Sequence, residues 1–116
     1  MQLSEKYGII YFYKIIGVAK MNAYKIKFSL KQLGISPSMK GYIYLCRAIE
    51  LVCDDNRYFC KSADALYTTI AQENGTHVHC IERDIRTAIR DSQCSTSVKK
   101  LIFMIAESVL TENLLE

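Results

Sequence analysis

From Glu73 to Asp91 the chain reads ENGTHVHCIERDIRTAIRD, and its apolar and polar positions separate by helical period. At about 100° per residue, Val78, Ile81, Ile85, Ala88 and Ile89 gather on one side, while His79, Glu82, Arg83, Arg86 and Arg90 populate the rest. That spacing predicts a helix from His77 to about Asp91, entered through a sharp turn at Asn74-Gly75 and capped by Thr76. Just before it, ADALYTTIAQEN predicts a helix capped by Ser62, with Leu66, Ile70 and Ala71 on its buried side.

The same reading extends in both directions. SMKGYIYLCRAIELVCDD places Tyr42, Leu45, Ile49 and Val52 on one stripe with Cys46 and Cys53 beside it. Ser36-Pro37 is the expected cap and first turn of that helix, and Asp54-Asp55-Asn56 its end. NAYKIKFSLKQL has apolar residues at Tyr24, Ile26, Phe28, Leu30 and Leu33, a pattern that mixes helical spacing with strand alternation, and Gly34 is its expected stop. After a polar loop, SQCSTS, the segment VKKLIFMIAESVLTENLLE predicts a last helix burying Leu101, Ile102, Phe103, Ile105 and Val109. The expected fold is mainly all-α, a helical bundle spanning 22–116 that contains a helix-turn-helix.

Residues 1–21 have a different texture. The apolar run Tyr7 to Ala19 is interrupted by Lys14 and is far short of the roughly 20 residues a membrane span needs. Lys14 also argues against a signal peptide. A strand, a short helix packed on the domain, or sequence upstream of a start at Met21 all fit this extension, with Tyr, Ile and Phe leaning toward a strand.

Composition sets outer bounds. A chain of 116 residues predicts one domain, and half its residues are hydrophobic against 23% charged, enough for a real core. A net charge of +3 is too mild to imply nucleic acid by itself, so the placement of the charges has to carry that reading. Five cysteines without a CxxC pair read as reduced thiols of a cytoplasmic protein, with Cys46, Cys53 and Cys60 spaced to line one helical face.

The helices 63–74 and 77–91 together fit a helix-turn-helix: Ala71 is small where they would cross, Gly75 permits the turn, and Val78 and Ile81 point back to lock the pair. A helix entering the major groove needs long donors near its N-terminal half. Arginine pairs with guanine O6 and N7, and a carboxylate accepts from cytosine N4. Arg83 is the expected main base reader and Glu82 a secondary one. Arg86 and Arg90 are expected at phosphates, and Thr76 with the helix's N-terminal amides at another. His79, Cys80 and Thr87 complete the expected DNA-facing set. A solvated outer face with a Glu82–Arg86 pair is the plainer explanation of the same charges.

LGISPSMKGYIYLCRAIELV, followed some way on by LYTTIAQENGTHVHCIERDIRTAI, resembles the DNA-binding C-terminal domain of the stage-zero sporulation protein A family, response regulators that initiate endospore formation. The resemblance rests on Lys40-Gly41-Tyr42-Ile43-Tyr44-Leu45 and on Cys80-Ile81-Glu82-Arg83-Asp84-Ile85-Arg86, and it runs from about Phe28 to Arg90. It implies a six-helix α domain that binds a short promoter box, with Glu82 and Arg83 at bases and Arg86 at the backbone. It also implies pairing of domains on DNA through the last helix, as a homodimer or with a full-length relative. Cys80 stands where the family has an arginine, a loss worth about 1–3 kcal/mol of base contact. The stretch before the last helix is shorter than in relatives, which weakens the case for an RNA polymerase contact. No room for a receiver domain is expected ahead of Asn22, and hence no switching by aspartyl phosphorylation.

Other chemistries fit less well. His77, His79, Cys80 and Cys94 are zinc-ligand types, but HVHC lacks the spacing of structural sites. No acidic orienter or oxyanion-forming glycine loop accompanies a Cys–His pair, so no enzyme, cofactor or metal is expected. Tyr42, Tyr44, Tyr58 and Tyr67 read as anchors between core and surface rather than as a stacking platform for single strands. The competing reading from another class is a protein-interaction module with weak or no DNA binding.

Overall fold

The recurrence of isoleucine and leucine at helical spacing builds an all-α architecture in the computed structural model, which describes residues 21–92 and 94–115. The strand or helix expected in the N-terminal extension lies outside the described residues, except that Met21 is already helical. In chain order come α1 (21–32), α2 (Lys40–Asp54), a 3-10 helix (Asn56–Cys60), α3 (Ala63–Asn74), α4 (Val78–Arg90) and α5 (Val98–Leu115). Five α-helices and one 3-10 helix thus stand among the described residues where the resemblance implied six helices.

At the centre lies α2, which packs on α3, α4 and α5. Its stripe of Leu45, Ala48, Ile49 and Val52 is fully buried and meets Leu66 and Ile70 of α3, Ile81 and Ile85 of α4, and Leu101, Ile102 and Ala106 of α5. Each such aliphatic side chain contributes about 1.5–3 kcal/mol by leaving water. Phe103, expected inside, is half-buried and packs its ring 5.4 Å from that of Phe59. Tyr42 is also only half-buried.

Mixed periodicity in α1 resolves in favour of the helix. Ile26 and Leu30, four apart, enter the core, whereas Tyr24 and Phe28 stack on each other at 6.5 Å on the exposed side. Gly34 ends the segment in a left-handed conformation at φ 80, as expected of a stop.

Two expected helix starts shift, and a third keeps its position without the expected side-chain bond. Ser36 does not cap α2: its carbonyl accepts from the Met39 N–H at 3.3 Å and its hydroxyl pairs with that of Ser38 at 2.8 Å. Ser36-Pro37-Ser38-Met39 is therefore a turn, with serine and proline in the positions a turn favours, and Met39 occupies the N-cap without a side-chain bond. Ser62 does hold the N-cap position of α3, but through its backbone and not its hydroxyl. Thr76 is not the cap of α4. Its N–H closes the end of α3 on the Ala71 carbonyl at 3.0 Å, and His77, extended at ψ 151, leads into the helix instead.

The 3-10 helix was not anticipated. It takes Cys60 off the axis of α2, so Cys46, Cys53 and Cys60 do not share one helical face. Asp55 caps it by accepting from the Arg57 backbone N–H, and the Arg57 guanidinium, with that N–H second, holds the Asp55 carboxyl down at about 2. Cys46, Cys53, Cys80 and Cys94 are free thiols, and burial pushes the first two up to about 11, where they are inert.

Candidate nucleic-acid interface

Gly75, at φ 61, donates its N–H to the Ala71 carbonyl and lets the chain turn from α3 to α4 across Gly75, Thr76 and His77. Ala71 is buried beneath this turn, as its small size required. The pair α3–α4 is compatible with a helix-turn-helix. Ile81, Ile85, Ala88 and Ile89 bury one side of α4, and Val78 is half-buried at its start. The opposite side is polar throughout, the segregation seen in the sequence.

On that polar side, the Arg83 side chain is 71% exposed. Its nearest carboxylate is Asp84, whose Oδ1 lies a loose 3.6 Å from the guanidinium Nε. Arg86, 64% exposed, donates to Glu82 one turn earlier. Arg90 is exposed and forms no ion pair among the described residues. Three guanidinium groups thus emerge along one helix of about 20 Å, a length that spans the major groove of a duplex.

The remaining expected residues differ in availability. His79 is exposed at the start of α4, and Cys80 beside it is half-buried. The Thr87 hydroxyl already donates to the Arg83 carbonyl at 2.9 Å, which fixes its proton on its own helix. Thr76 is half-buried in the turn, its N–H committed to α3. Among the described residues, no group of three His, Cys, Asp or Glu could hold a metal ion.

Two contributions were not visible in the sequence. Gly41 lets the first turn of α2 reach the backbone of α4 at Asp84. Tyr67 on α3 lies in the electrostatic neighbourhood of Glu82 and Arg86; burial first, then Glu82 and Asp64, push its phenol up to about 12 against the opposing effect of Arg86. The sequence marks Tyr67 as an anchor between core and surface, and the structure buries it on α3; its nearness to Glu82 and Arg86 is not readable from its own helix.

Arg47 of α2 braces α3 from behind. Its Nε and terminal nitrogen donate to both carboxylate oxygens of Glu73 at 2.9 and 2.7 Å, and a third bond reaches Glu50 at 3.3 Å. The turn into α4 begins just beyond Glu73, so the clamp ties α2 to the end of α3 next to that turn. No helix among the described residues is long and apolar enough to cross a membrane. A family model described as the sporulation initiation factor Spo0A C terminal matches residues 26–113, which takes in α2 to α4 whole and most of α5, and the chain belongs to that family of DNA-binding regulatory domains.

Proposed function

We propose that this protein is a sequence-specific regulator of transcription that reads double-stranded DNA by laying α4 in the major groove. Arg83 is its main base reader, donating in pairs to guanine O6 and N7, and Glu82 is a secondary one, accepting from cytosine N4. Arg86 and Arg90 meet phosphates, and Thr76 with the first amides of α4 meets another. His79, Cys80 and Thr87 line the same face; Thr87 contributes its methyl group or a hydroxyl oxygen rather than a free proton.

One observation carries this reading: the Arg83 side chain is 71% exposed and loosely paired, on a helix whose other side is locked into the core. A guanidinium so placed is open to an incoming acceptor, and the buried opposite side of α4 holds its helix in place. Cytoplasmic residence and the absence of catalysis belong to the same proposal.

A second reading, an interaction module that pairs with a relative through α5, draws on Met104, 54% exposed beside Leu33 and Cys94. Titration of a labelled duplex, selected by the protein from a randomised library, against a scrambled duplex at two salt concentrations separates the two. DNA reading predicts preference for the selected duplex and an affinity that falls steeply with salt. Equal, negligible binding to both duplexes contradicts it.

A further inference from the structure

Tyr67 presents an unusual combination. Only 5% of its surface is exposed, yet its hydroxyl has no hydrogen-bond partner among the described residues. Buried tyrosines ordinarily place their O–H on an acceptor. Among the described residues no buried side-chain oxygen is left wholly unsatisfied, so the phenolic oxygen keeps some access to solvent rather than lying in a sealed interior. Tyr67 belongs to α3, which packs on α4, and Glu82 and Arg86 of α4 lie close enough to act on its phenol electrostatically.

We infer that the Tyr67 hydroxyl is a phosphate donor, holding a backbone phosphate of the duplex at the seam between α3 and α4 beside Arg86. The inference rests on the DNA reading proposed above and adds a contact from the helix before the reading helix. The chemistry suits the task. A phenol held high by burial and by two carboxylates stays protonated, so it donates at any physiological pH. An anionic oxygen is the acceptor a neutral donor binds most strongly. Because the ring is already packed, little side-chain freedom remains to be lost on binding. The first helix of a helix-turn-helix crosses the sugar–phosphate backbone, which is where this hydroxyl would lie. Glu82 and Arg86 then divide the neighbouring work: the carboxylate keeps the guanidinium near the seam until a phosphate competes for it.

The test is Tyr67→Phe, which keeps the packed ring and deletes only the oxygen. Expected are an unchanged circular dichroism spectrum and an affinity weakened by about tenfold for selected and scrambled duplexes alike. The slope of log Kd against log salt should stay the same, since the hydroxyl carries no charge, whereas Arg86→Gln should lower it by about 0.9. A second measurement guards against altered folding. Scanning the duplex with single neutral methylphosphonate linkages should reveal one position that weakens the parent protein but not Tyr67→Phe. Binding of Tyr67→Phe within twofold of the parent on both duplexes, or a loss confined to the selected duplex, overturns the assignment while leaving the DNA reading standing. A parent protein that binds neither duplex overturns both.

Discussion

Gly41 and Asp84 meet backbone to backbone: a Cβ on Gly41 would lie 2.1 Å from the Asp84 carbonyl oxygen and 2.7 Å from the Cβ of Ala88. The first turn of α2 therefore rests directly on the middle of α4, and only a residue without a side chain permits it. Gly41→Ala should push the two helices apart. Overpacking against immobile backbone is expected to cost about 3 kcal/mol, seen as a fall in Tm on the order of 10 °C. An unchanged Tm would mean that this contact is looser than described.

Arg47 and Glu73 form a second, weaker connection, between α2 and α3. Both side chains are 37% exposed, so solvent screens the pair and a double-mutant cycle with Arg47→Met and Glu73→Gln should give about 1 kcal/mol or less. Hydrogen bonds from Arg47 hold the Glu73 carboxyl below its ordinary 4.5. A carboxyl depressed in the folded state stabilises it fully above that ordinary value. The contribution fades as pH falls through the lower, folded value. The coupling measured by chemical denaturation should hence be constant at neutral pH and disappear in acid; a coupling that grows in acid contradicts it.

Much of this architecture was legible in the chain, for identifiable reasons. The helix at 78–90 announced itself because its apolar residues bury completely on one side, leaving no ambiguity of period. Segment 21–32 was ambiguous because Tyr24 and Phe28 are apolar residues that stack on the outside, imitating alternation. Helix starts were the least readable. Ser36-Pro37 and Thr76 have the chemistry of caps, but the Ser36 carbonyl accepts from Met39 within its own turn and the Thr76 N–H closes the end of α3 on the Ala71 carbonyl. Of the candidate site, the exposed arginines could be read from period alone. The contributions of Gly41 and Tyr67 depend on helices separated in sequence and become visible only once those helices are placed.

Glu82 pairs with Arg86, and the proposed function requires it to leave that pair to accept from a base. Glu82→Gln removes a negative charge from the face and frees Arg86, at a cost of about 0.5 kcal/mol in helix support. Affinity for scrambled duplex should rise several-fold while preference for the selected duplex shrinks, as read by competition titration. A rise in preference would remove Glu82 from the reading set.

Cys80 sits half-buried one turn before Arg83, at the position where the resemblance places an arginine. Cys80→Arg supplies a long donor near the N-terminal end of α4 and should tighten binding to a guanine-containing selected site by about tenfold or more. The selection should be repeated with the variant, since a new donor retargets as well as strengthens. Equal affinity for parent and variant, each on its own selected duplex, would place this position away from the DNA.

The most direct measurement is the ratio of Kd values for scrambled and selected duplex, taken for the parent protein and for Arg83→Ala at one salt concentration. Loss of a paired contact to guanine should reduce that ratio by at least about tenfold, with Tm nearly unchanged because the side chain is 71% exposed and only loosely paired. A ratio that survives the substitution intact would mean that Arg83 does not read the sequence, and the proposed function would fail with it.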